Sequence, residues 1–185
     1  MDDWSEIKST AYHEAGHLVA AAILGLPLCE GGMRIDLRGG GVSRYCIRTP
    51  GCPSSSSEDN LERRNTIISL LSGQIAQRKY LPNLDEPSCW LEDDRLIEEL
   101  VKELAIKSSD EVVAQLFSAA ENLIDENWSL VVGLALLLWN RPITPMTEEE
   151  FATGWSKLPD RREKFLSTSD VRNYFFANKI ECKVS

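Results

Sequence analysis

The two histidines of this 185-residue chain, His13 and His17, stand four apart with Glu14 beside the first, in the segment Ala11 to Leu24, AYHEAGHLVAAAIL. In a helix, residues four apart lie one above the other on one face, so this H-E-x-x-H spacing can bring two imidazole nitrogens to one metal ion. A divalent metal, most often zinc, takes neutral imidazoles as ligands and keeps an open position for water. The adjacent Glu14 carboxylate can accept that water's proton as it attacks a carbonyl. The competing reading is a pair of core histidines on a buried helix. Two histidines placed at random in a chain of 185 residues fall four apart about once in a hundred tries, and with Glu in second place about once in a thousand. An almost uninterrupted apolar helix is also a costly place for three such side chains unless something pairs with their polar atoms.

The helix that carries them can be capped by Ser9 or Thr10, runs through Leu24, and is stopped by Gly25 and Pro27. Gly16, next to His17, leaves room for a neighbouring helix or for the far side of the metal, or is a tolerated small residue. A third ligand must come from elsewhere. The extended motif with a third histidine six residues after the second would need His at Ile23, and Glu58, Glu62 and Glu92 have no supporting pattern. The segment Leu91 to Ile106 is a helix whose apolar face holds Leu96, Ile97, Leu100, Val101 and Leu104. Asp93 projects onto the middle of that stripe, with Asp94 about 90° away. A carboxylate aimed at a core needs a cation, a metal or the helix dipole; otherwise EDD is an ordinary acidic first turn.

Around these two helices, Met33 to Ile47 alternates as a small hairpin turning at Gly39-Gly40-Gly41. Thr49 to Asn60, TPGCPSSSSEDN, is a loop, either a lid or a solvated connection. Leu61 to Tyr80 returns to helical periodicity, Leu81 to Ser88 is a loop, and Asp110 to Asp125 and Trp128 to Trp139 are two further helices. Thr147 and Glu150 make a capping box, and the DRREK and KIECK segments near the C-terminus read as solvated surface.

With 43% hydrophobic residues, the chain can bury one core as a single domain. A net charge of -9 repels phosphate backbones and acidic lipid headgroups, which argues against nucleic acid or a membrane surface as partner. Five cysteines without a C-x-x-C pair suggest free thiols and a cytoplasmic location. The N-terminus shows no secretory signal, and the apolar run Leu130 to Trp139 is too short to span a bilayer. No phosphate-binding G-x-x-x-x-G-K-[ST] motif occurs.

HEAGH, rather than H-E-x-x-H alone, resembles the proteolytic domain of the FtsH-type membrane proteases, the M41 metallopeptidases. The similarity extends over about Thr10 to Trp155. LLSGQIAQRKY resembles the family's helix in which a leucine-rich turn is followed by Gly, Ala and a glutamate, with Gln77 about where that glutamate is expected. VSRYCI is similar to its edge strand beside the metal, and the final helices and ITPMTEEEF resemble the end of its peptidase domain. In the family the third ligand is an aspartate opening a helix, with small or apolar residues four, eight and eleven positions later. From Asp93 these are Ile97, Val101 and Leu104, whereas from Asp94 they are Glu98, Lys102 and Ala105. The resemblance therefore implies His13, His17 and Asp93 as zinc ligands, Asp94 as the fallback, and Glu14 as the general base.

The expectation is thus a mainly α single domain with a small β-hairpin, built as an M41 peptidase-like core over 10–155 with a C-terminal extension over 156–185. It would be a free-standing zinc metallopeptidase, independent of ATP, cleaving peptides or unfolded protein segments. A homo-oligomer or a separate ATPase are possible partners. The alternatives are a catalytically inactive zinc-binding module that recognises a peptide or partner, and a structural protein whose metal pins two helices. Glu14 favours chemistry, since a structural site has no use for a base beside an open coordination position.

Overall fold

The computed structural model describes residues 3–47, 50, 57–84, 90–104, 109–145 and 162–183. Helix α1 (Asp3–Ile23) is the axis of the fold: every residue from Ser9 to Ala22 is buried. A helix with apolar residues on every face is stable only when covered on every side. Helix α2 (Ser57–Tyr80), helix α5 (Trp128–Trp139) and the hairpin of β1 (Leu28–Asp36) and β2 (Gly41–Tyr45) supply that cover. Gly16 sets the α1–α2 distance, because a Cβ there would lie 2.4 Å from the Ser72 carbonyl oxygen and 2.8 Å from the Ala76 Cβ. Its absent side chain therefore serves the neighbouring helix. The helix ends as Gly25 predicts: the Leu26 and Gly25 N–H groups donate to the Ala21 and Ala22 carbonyls, with Gly25 at φ +71°. Its start differs from expectation, for Ser9 lies inside the helix and donates to the Glu6 carbonyl at 2.6 Å.

Helix α3 (Trp90–Glu103) and helix α4 (Ser109–Glu126) pack on α2 around a second apolar cluster that includes Ile67, Leu70, Leu100, Leu116 and Ala120. The α1, α5 and sheet contacts make the main cluster, with Leu18, Met33, Ile35, Leu134 and Leu138 at its centre. No helix among the described residues is long and apolar enough to cross a membrane.

The predicted hairpin forms, but it belongs to a larger antiparallel sheet. Strand order is β2-β1-β4-β3, where β3 is Thr144–Pro145 and β4 is Arg162–Leu166, so β2 is an edge among the described residues. Helix α6 (Thr168–Ala177) follows β4 and returns Val171 and Phe175 to the main core. The expectation of solvated surface near the C-terminus is therefore corrected. Within DRREK, Glu163 is buried and pairs with Arg34 at 3.5 Å, while Lys164 donates to the Trp139 and Arg141 carbonyls. Within KIECK, the Lys183 carbonyl accepts the Leu28 N–H. Full burial of Leu166, Val171 and Phe175 is worth about 1.5–3 kcal/mol each, a large part of a small domain's stability. Charged residues that alternate with core positions look like surface in a one-dimensional reading, and this strand was masked in that way.

Cys29 and Cys46 are joined in a disulfide across the hairpin, with Cα atoms 5.9 Å apart, while Cys182 is free and partly buried. The expectation of five free thiols fails for this pair, so the cysteines no longer indicate a reducing compartment. Pairing across strands depends on register, which spacing in sequence does not display. Cys52, Cys89, the Thr147–Glu150 box and most of the loop after Thr49 lie outside the described residues.

Candidate metal centre

His13 and His17 project from one face of α1 as their spacing requires, with ring planes at 86° and Nε2 atoms 2.9 Å apart. Asp93, in the first turn of α3, brings Oδ2 to 3.1 Å from His13 Nε2 and 3.3 Å from His17 Nε2. Asp94 turns away and accepts from Gln74 Nε2 at 2.7 Å. The helical phase that distinguished the two aspartates thus matches the structure.

His17 has a defined tautomer. Its Nδ1 lies 2.8 Å from the Ser69 carbonyl, which can only accept, so Nδ1 carries the proton and neutral His17 presents the Nε2 lone pair to the cluster. Ser69 Oγ donates in turn to the His17 carbonyl at 3.0 Å and also bonds the Tyr45 hydroxyl. Gly73 makes the space for the ring: a Cβ there would stand 2.3 Å from His17 Cε1. Asp93 Oδ2 is buried with no hydrogen bond among the described residues.

This donor set could hold a metal ion. Two imidazole nitrogens and one carboxylate oxygen are a usual catalytic combination, and ligands 2.0–2.1 Å from a tetrahedral ion are separated by about 3.3 Å. The observed separations of 2.9, 3.1 and 3.3 Å approach that spacing. A cluster that aims three electron-rich atoms at one point is unfavourable unless a cation, or a proton in its place, is shared.

The proton affinities carry the same signature. Burial works to lower the His17 pKa, but the Asp93 carboxylate, Glu14 and the Ser69 carbonyl outweigh it and raise the value to about 9. Burial works to raise the Asp93 pKa, and both histidines overcome it, holding the carboxyl well below the usual range. Glu14 moves the other way. Its burial raises the pKa against the opposing pull of His13, His17 and a hydrogen bond from Ser43, so it is a stronger base than a solvated glutamate.

Glu14 packs against Gly41, where a Cβ would stand 2.4 Å from its Oε1. The hairpin turn and β2 form one wall of an open cleft of about 620 Å³ that contains His13, Glu14, His17 and Asp93, while Leu70 and Leu96 contribute an apolar side. Gln77, which stands where the resemblance expects a glutamate, is a connector. Its amide accepts from Trp90 Nε1 at 2.7 Å and donates to Ser9 Oγ at 2.9 Å, tying the start of α3 to α2 and α1. A carboxylate could not make that donation.

Sequence reasoning missed Ser69, Gly73, Ser43, Tyr45 and the role of Gly41. A glycine inside the helical run LLSGQ was the one available signal. No family model and no curated protein matches the chain.

Proposed function

We propose that this protein is a zinc-dependent peptidase with an M41-like arrangement, in which His13, His17 and Asp93 hold the metal and Glu14 is the general base. The observation that carries the proposal is the convergence of His13 Nε2, His17 Nε2 and Asp93 Oδ2 in the same open cleft as a buried carboxylate and an edge strand. Zinc bound by these residues would supply a Lewis acid that polarises a substrate carbonyl and makes water more acidic. The Glu14 carboxylate takes a proton from water as its oxygen bonds to the carbonyl carbon. It returns the proton to the amide nitrogen as the C–N bond breaks. Ser69 keeps the proton on His17 Nδ1 so that Nε2 stays a ligand.

The edge of β2 can hold an extended peptide by main-chain hydrogen bonds, which select shape more than sequence. Such a chain must already be unfolded locally, so the proposed substrates are peptides, flexible tails and unfolded segments. The decisive assay follows cleavage of a reduced, carboxymethylated protein by the zinc-loaded wild type and by Glu14→Gln. Cleavage by the wild type alone is expected. Equal cleavage by both would overturn the role of Glu14, and no cleavage by either while zinc is bound would favour an inactive recognition module.

A further inference from the structure

The cleft holds two cations that the catalytic scheme does not use. Arg38 in the β1–β2 turn and Arg44 on β2 both line it and are exposed, and neither forms an ion pair among the described residues. The carboxylates around them are engaged. Asp36 Oδ1 accepts the Arg38 and Gly40 N–H groups, Glu92 pairs with Arg95, Asp93 faces the histidines, and Glu14 bonds Ser43. The neighbouring Arg34 is also engaged, with Glu163 and with the Phe165 ring. In a chain of net charge -9, two arginines that line one cleft and form no ion pair among the described residues stand out.

Their placement is specific. Arg44 is supported, because its stem crosses Gly31, where a Cβ would come within 3.0 Å of Arg44 Cγ. Along the chain the two arginines bracket Gly41 and Ser43, which touch Glu14. Arg44 alternates with Ser43 and Tyr45, so its side chain stands on the opposite face of β2, where it meets side chains of an added peptide that point away from Glu14. A peptide added to the β2 edge advances about 3.4 Å per residue, so chain on either side of the reacting bond passes one arginine within about three residues. Guanidinium groups recognise carboxylates through paired N–H donors.

We infer that the cleft selects acidic peptide segments, with carboxylate side chains on both sides of the scissile bond met by Arg38 and Arg44. This inference rests on the peptidase reading above for its cleavage arm, but not for its binding arm. The test uses three blocked peptides, acetylated and amidated, alike except that the flanking positions are Glu, Gln or Lys, and a Gln peptide with a free C-terminus. Cleavage is measured with the wild type, Arg38→Gln/Arg44→Gln and Arg38→Glu/Arg44→Glu. Binding is measured by fluorescence anisotropy on Glu14→Gln in each background.

The expected result is a Glu preference in the wild type that weakens in the Gln variant and inverts toward Lys in the Glu variant. Exposed pairs contribute a factor of roughly two to five each, so the double reversal should cost the Glu peptide about tenfold or more, and the preference should shrink as salt rises. Cleavage without preference for the Glu peptide would overturn the inference and leave the peptidase standing. Glu-selective, arginine-dependent binding without cleavage would support the inference and overturn the peptidase. Equal preference for the Gln peptide with a free C-terminus would assign the arginines to a chain-terminal carboxylate and overturn the side-chain assignment.

Discussion

Gly73→Ala separates the metal centre from the fold more sharply than any ligand substitution. The new methyl carbon would lie 2.3 Å from His17 Cε1, 2.5 Å from Nε2 and 2.7 Å from Nδ1. Ordinary carbon contacts are about 3.5–4.0 Å, so the ring must retreat by about 1 Å. It is held on α1 and by the Ser69 carbonyl at 2.8 Å, so retreat breaks that hydrogen bond or moves Nε2 away from Asp93. Two effects on stability oppose each other. Alanine gains about 1 kcal/mol over glycine in a helix interior, and overpacking costs about 1–3 kcal/mol. The net loss is about 2 kcal/mol or less, against a total of about 5–15. Metal binding has no such offset, because a displacement of about 1 Å is half a zinc–nitrogen bond, and even loss of ligand orientation alone costs about 10–100-fold in affinity. We expect Gly73→Ala to fold, to lose roughly 2 kcal/mol or less in urea unfolding, and to bind zinc about 100-fold more weakly in competition with a chromophoric chelator. Gly133→Ala is the control, since its methyl would meet the Tyr174 hydroxyl at 2.3 Å, in the α5–α6 contact. A folded Gly73→Ala protein with wild-type zinc affinity would refute the described packing of His17.

Glu14→Gln should retain zinc and lose about two to four orders of magnitude in turnover, read from the cleavage rate under saturating peptide. Asp93→Ala should weaken zinc binding by about 100-fold or more, whereas Asp94→Ala, which loses only the Gln74 contact, should stay within about tenfold; the reverse order in chelator competition would reject the ligand assignment. Burial raises the Asp170 pKa, but its hydrogen bonds with Ser167 and the Arg141 guanidinium lower it further. That stabilisation is complete above about 3.9, the ordinary aspartate value, and is lost as pH falls through the lower folded-state pKa. Asp170→Asn should therefore cost less than about 1 kcal/mol at neutral pH, the pair being half-exposed and screened, and the difference in urea midpoint should vanish in strong acid. Cleavage by this chain should be unchanged by ATP and should spare folded substrates, whose opening costs on the order of 5–15 kcal/mol; equal rates on native and permanently unfolded forms of one protein would contradict it.

The clustering of His13, His17 and Asp93 was legible because these residues sit on regular helices. A four-residue spacing places His13 and His17 on one face wherever α1 lies, and the apolar stripe of α3 fixes which way Asp93 points. Gly25 ends α1 through local hydrogen bonds that sequence position alone determines. What surrounds the ligands was not legible in the same way. Ser69 and Gly73 matter only because α2 crosses α1 at Gly16, and Gly41 only because the hairpin turn lands on Glu14. The Cys29–Cys46 pair and the insertion of β4 beside β1 depend on register between segments far apart in sequence. Charged residues in β4 disguised a strand whose Leu166 is fully buried.

If His13, His17 and Asp93 form one zinc site serving Glu14, zinc content must follow the ligands and not the base. Zinc content after dialysis against a weak chelator, measured by elemental analysis on the wild type, Glu14→Gln and His13→Ala/His17→Ala, tests it most directly. One zinc per chain is expected in the first two proteins and none in the third. One zinc per chain retained by the double histidine variant would contradict it.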